Sequence, residues 1–107
     1  MSNNSQRAGF AEELIATMTG APVLIGTLEF SPVIIIFDNQ SDDSVAISVD
    51  GGVTTWKTFP AGEALVLDLR AAHGMASNYS FDVGTSFYGN GAGTGDFSIS
   101  YIYARTT

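Results

Sequence analysis

Between Val33 and Leu69 the chain repeats one pattern, a short apolar run followed by an acidic or glycine-rich turn. Val33 to Phe37 leads into Asp38-Asn39-Gln40-Ser41-Asp42-Asp43, and Ser44 to Val49 into Asp50-Gly51-Gly52. Thr54 to Phe59 leads into Pro60-Ala61-Gly62, and Glu63 to Leu69 completes the series. Runs this short, each closed by turn formers, predict antiparallel strands rather than helices. Gly51 and Gly52 supply the positive φ angles of a tight hairpin. Val45, Ile47 and Val49 fall on one face of their strand, and Leu65, Leu67 and Leu69 on one face of theirs, opposite Val66 and Asp68. Val33 to Phe37 shows no polar alternation, which predicts a central strand covered on both faces.

The flanks extend the pattern. Val23 to Phe30 reads as a strand ended by Ser31-Pro32, and Tyr79 to Val83 and Thr85 to Tyr88 as two more. Gly89-Asn90-Gly91-Ala92-Gly93-Thr94-Gly95 reads as a mobile connection by composition. Asp96 to Ala104 alternates Phe97, Ile99, Tyr101 and Tyr103 against Ser98, Ser100 and Ile102. Arg70 to Asn78 is the longest irregular stretch. Seven or eight short strands with regularly spaced turns predict an all-β fold, an antiparallel β-sandwich of jelly-roll type. Residues 21–107 would form that domain.

Residues 1–20 read as an N-terminal arm. Phe10, Leu14, Ile15 and Met18 recur at helical spacing, with Glu12 and Glu13 near the start and Gly20 and Pro22 at the end, so residues 9–19 form either a short helix or an extended arm. In both cases the four apolar side chains are candidate assembly contacts, and deleting residues 1–20 is expected to leave a folded β domain that assembles less well.

With 107 residues the chain has the size of one domain. Its 11 acidic residues outnumber 4 basic ones, for a net charge of -7. So few cations cannot neutralise many phosphates, which argues against nucleic acid as a partner, and adsorption to anionic lipid is disfavoured for the same reason. The absence of cysteine removes disulfides and thiolate metal sites. The longest apolar run is far shorter than a bilayer span, and no secretory leader is read at the start.

The candidate sites are weak as chemistry. The glycine-rich stretch leads into a strand with no Lys-Ser/Thr pair, so it lacks the helix N-terminus of a phosphate loop. Asp38, Asp42, Asp43 and Asp50 match no EF-hand spacing and read as turn formers. His73 is the only histidine. Asp68, Ser77 and Ser80 are near it in sequence, but no nucleophile-elbow motif surrounds either serine. Paired-carboxylate hydrolysis is unsupported too, because the acidic residues fall mainly in turns, with Glu29 and Asp68 within strands. Neither a catalytic centre nor a cofactor or metal site is expected. Trp56, Tyr79, Tyr88, Tyr101 and Tyr103 are the aromatic residues that a sugar-stacking platform could use, with Trp56 and Tyr88 the chosen pair. The competing reading buries these rings in the core with their polar tips at its edge.

The segment Ile35 to Gly52 resembles small bacteriophage structural proteins, which read as an apolar run, Asn-Gln/Asn-Ser/Thr-Asp, then Val-x-Ile-Ser-x-Asp-Gly. The likeness continues through Pro60-Ala61-Gly62, Leu67-Asp68-Leu69, Gly84-Thr85-Ser86-Phe87-Tyr88 and Gly95 to Ala104. It spans about Val33 to Ala104 and leaves the first 32 residues uncovered. The resemblance implies a β-sandwich virion component without catalytic residues, assembled into the particle in the host cytoplasm. A capsid decoration (cement) protein is the first expectation. It would bind the major capsid protein or other virion proteins as a homo-oligomer, a trimer being the habit of such proteins. A tail, collar or fibre-attachment component, or a carbohydrate- or receptor-binding module, is the alternative.

Overall fold

The computed structural model describes residues 10–68 and 81–103. They form eight strands: β1 (Phe10–Thr17), β2 (Val23–Thr27), β3 (Pro32–Asn39), β4 (Val45–Ser48), β5 (Lys57–Phe59), β6 (Ala64–Asp68), β7 (Ser86–Gly91) and β8 (Asp96–Tyr103). Sheet I has the order β1-β8-β3-β6 and sheet II the order β2-β7-β4-β5. Every pairing is antiparallel. First pairs with last, second with seventh, third with sixth and fourth with fifth, so the chain is one long antiparallel ribbon. The β3–β8 and β4–β7 pairings then close the wrapped ribbon into two sheets. This is the jelly-roll sandwich expected from the turn spacing.

Alternation builds the core. Ile35 and Phe37 of β3, Val45 and Ile47 of β4, Phe59 of β5, Phe87 of β7, and Phe97, Ile99 and Tyr101 of β8 are fully buried between the sheets. Phe37 is the centre of the aromatic packing, with ring centroids 5.3 Å from Trp56 and 5.6 Å from both Phe59 and Phe87. Each such ring contributes roughly 2–3 kcal/mol of gross burial free energy.

One end of the sandwich is held by a polar side chain. Asn39 is fully buried, and its amide donates to the carbonyls of Asp43 and Phe59 at 2.9 Å and of Pro60 at 3.1 Å. Its Oδ1 accepts from the Ser41 N–H at 3.0 Å and the Ser41 hydroxyl at 2.6 Å. One residue thereby ties the β3–β4 turn to the β5–β6 turn, where Gly62 takes a φ of 79°.

Several expectations need correction. Phe10 to Thr17 is neither a helix nor a separate arm. It is an edge strand of sheet I, paired along its whole length with β8, and the following Met18 is core. Glu12, Leu14 and Ala16 face the sandwich because burial against β8 outweighs the helix propensity of Ala, Glu and Leu. β3 is central, as expected, but its outer face is not covered by a further described element. Ile34 and Ile36 stay half-buried there while Ile35 and Phe37 are sealed inside. β4 ends at Ser48, so Val49 leaves the inner face and is exposed. The hairpin it enters is an eight-residue loop around Gly51 and Gly52, not a tight turn. β2 stops at Thr27, and Phe81 to Val83 is not a strand. Arg70 to Asn78, Tyr79 and Ser80 lie outside the described residues.

The glycine-rich stretch also departs from its composition. Gly89 and Gly91 are buried in β7, where a Cβ would meet Met18 and Ile25 above Gly89 and Val45 beside Gly91. The rest forms the crossover to β8 in the other sheet. It is tied down: Met18 N–H donates to the Gly95 carbonyl at 2.9 Å, and Gln40 N–H to the Asp96 carbonyl at 3.0 Å. These glycines serve close packing rather than mobility.

Candidate interaction surfaces

The expected assembly contacts divide between inside and outside. Met18 is 4% exposed and Leu14 packs against the core over Gly26, so both serve their own domain. Ile15 is 49% exposed on the outer face of sheet I. Phe10 is the first residue of β1, opposite Tyr103.

The aromatic pair is separated. Trp56 packs its ring against Phe37 and, at 5.7 Å, against Phe81, within the aromatic core. Tyr88 points the other way, onto the outer face of sheet II, because its neighbours Phe87 and Gly89 face inward. There it lines a shallow depression with Ser48, Thr55 and Asn90. Tyr101 and Tyr103 are buried, and Tyr103 stacks on Phe30 with centroids 4.1 Å apart. Tyr79 and His73 lie outside the described residues.

The acidic turn residues act as local fasteners. Asp42 accepts from the Thr94 N–H at 2.7 Å and from its hydroxyl at 3.0 Å, joining the β3–β4 turn to the β7–β8 crossover. These two bonds hold the Asp42 carboxyl below its ordinary pKa. Asp50 accepts from the N–H groups of Thr54 at 2.9 Å and Val53 at 3.1 Å, and the Thr54 bond chiefly lowers its pKa as well. Asp38 accepts from the Gln40 amide at 3.0 Å, and Asp43 from the Ser44 N–H at 2.8 Å. Among the described residues no three His, Asp or Glu side chains gather where a metal ion could be held.

The two outer faces differ in kind. Sheet II presents Thr27, Ala46, Thr58, Ser86, Tyr88 and Asn90, with Leu24 as its exposed large aliphatic. Sheet I presents a block of aliphatics. Ile34 lies opposite Ile102, and Ile36 opposite Val66, which is 60% exposed. Cross-strand neighbours sit about 5 Å apart, so these four side chains form one continuous surface. The outer face of an antiparallel sheet is ordinarily polar, which makes this block informative. Its trace in the sequence is the run Val33 to Phe37, where the missing polar alternation marks a second apolar face. Val66 and Ile102 carry the same signal, as apolar residues on the side of the strand opposite the core.

The chain matches no protein-family model, no curated protein and no solved structure.

Proposed function

We propose that this chain is a non-enzymatic structural protein of a bacteriophage particle, a decoration (cement) protein that binds the assembled shell as a homo-oligomer. The observation that carries the reading is the wrapped eight-strand ribbon, an architecture that viral capsid domains share with lectins and cupins. That step is a fold-level analogy. The Val33–Ala104 resemblance to phage structural proteins points the same way, and a surface with few charges and a block of aliphatics, half-buried at Ile34, Ile36 and Ile102 and exposed at Val66, suits a protein that works packed against others. The deciding experiment is quantitative mass spectrometry of particles purified from the source. A copy number equal to, or a simple fraction of, that of the major shell protein supports decoration. A few to a few dozen copies would move the chain to the tail, collar or fibre base, and absence would remove the virion reading.

A carbohydrate-binding module is the second reading, favoured by the depression beside Tyr88, Asn90, Ser48 and Thr55. Calorimetric titration with a glycan panel tests it, and binding that disappears in Tyr88→Ala would raise it to first place. Trp56 is half-buried with its ring against Phe37 and Phe81 and does not line that depression.

A further inference from the structure

We propose that the outer face of sheet I is a docking surface for a different protein, one whose contact surface is apolar at its centre and rimmed by Lys and Arg. The inference rests on the reading of the chain as an accessory component of a larger assembly, and it names the face and the partner chemistry. The centre of the face is the block of Ile34, Ile36, Val66 and Ile102. On the same outward parity, Glu13 of β1, Asp38 of β3 and Asp96 of β8 border it. Lys57, the only basic residue among the described residues, belongs to sheet II, where its Nζ sits 5.1 Å from the centre of the Phe59 ring.

That border selects the occupant. Two copies meeting through this face would set acid against acid around a shared apolar centre, which opposes association. An anionic membrane or a nucleic acid meets the same repulsion. A protein surface with the opposite rim gains from both parts, with apolar burial at the centre and charge pairing at the edge. Sheet II has the polar composition of a face left in water.

The absence of cysteine provides the test. Val66→Cys places a single thiol on the sheet I face, and Thr58→Cys places one on the sheet II face. Maleimide labelling of full-length chain in purified particles is compared with labelling of the free chain. Val66→Cys is expected to react at least about tenfold more slowly in the particle, and Thr58→Cys within about twofold of the free rate, as for a core and a non-interface position. Equal slowing at both sites, or slowing only at Thr58→Cys, overturns the proposal. So does slow labelling of Val66→Cys in the free chain, which would mean that its own residues cover the face. Disulfide-linked dimers through that thiol would instead assign the face to a second copy and overturn it as well.

If the chain is missing from the particles, the virion reading falls and the surface is judged separately. Free chain is bound to a matrix carrying both alkyl and quaternary ammonium groups and eluted with salt. The Ile15→Ser/Val66→Ser variant is expected to elute at clearly lower salt than wild type, whereas Leu24→Ser, which removes an equally exposed aliphatic from sheet II, elutes with wild type. Equal loss of retention in the two variants overturns the docking surface alone.

Discussion

Tyr101 and Glu12 lie directly opposite each other in the β1–β8 pairing, and the tyrosine hydroxyl donates to the Glu12 carboxylate at 2.5 Å. The same hydroxyl accepts from the Glu29 N–H at 3.1 Å. One buried ring thus fastens the first strand and the β2–β3 connection to the last strand. Burial, and then the bond to Glu12, raise the Tyr101 pKa.

Tyr101→Phe keeps the ring and removes both bonds. Glu12 and the Glu29 N–H can turn to water, so the expected loss is modest, about 1–2 kcal/mol. Urea unfolding followed by Trp56 fluorescence measures it. A variant as stable as wild type would show that the hydroxyl does no more than fill space.

Stability should depend on pH through Glu29. Its hydrogen bond with Glu12 raises its pKa above the ordinary 4.5, with the nearby Glu12 charge and partial desolvation adding to the effect. A carboxyl with a raised folded pKa contributes stability that is fully present below pH 4.5 and is lost as pH rises through the folded value. Asp42 and Asp50 act in the opposite sense: lowered from 3.8, they contribute above that value and lose the contribution as pH falls through their folded pKa values. Glu29→Gln should therefore match wild type below pH 4.5 and exceed it at neutral pH, as read from thermal midpoints. Parallel pH profiles for the two proteins would exclude the Glu12–Glu29 pair as their source.

Asn39→Ala removes the amide donor to the carbonyls of Asp43, Phe59 and Pro60, of which the Phe59 bond is buried, and removes the acceptor for Ser41. The expected cost is about 2–5 kcal/mol by denaturant titration. Asn39→Asp keeps the shape but not the donors, and should rescue little or none of it.

Gly93→Ala tests whether the crossover is packed or loose. A Cβ at this position would collide with the Asp42 Oδ1 and lie 2.9 Å from the Asp43 backbone nitrogen, so the Asp42–Thr94 bonds must shift. The expected destabilisation is about 1–3 kcal/mol. Gly51→Ala also destabilises through its φ of 80°, but with nothing within 4 Å of the added methyl the cost should be smaller, about 1 kcal/mol. Equal losses in both variants would mean that crowding at Gly93 is relieved without cost.

The strands around the acidic turns were legible because their signals are local. Pro60-Ala61-Gly62 turns the chain where expected, and Leu65 and Leu67 face the core with Val66 outside. Phe10 to Thr17 was not legible. Phe10, Leu14, Ile15 and Met18 fit a helical period, and the inward position of Glu12 breaks the strand alternation. The Tyr101 hydroxyl, 89 residues away, is the partner that this inward-parity glutamate meets. Gly89, Gly91 and Gly93 misled for a related reason. Composition reports what glycine permits, whereas Met18, Ile25, Val45 and Asp42 are what require it.

By itself, the sequence determined the all-β class, the approximate number of strands and most inward positions in the middle of the chain, because period-two burial and turn chemistry are properties of neighbouring residues. Only the tertiary structure decided that β1 closes sheet I, that Trp56 and Tyr88 face different surroundings, and that Ile34, Ile36, Val66 and Ile102 form one outer surface. Those facts depend on pairings between residues up to about 90 positions apart. A wrapped ribbon sets such pairings by burying its two sheets against each other, and no local propensity encodes them.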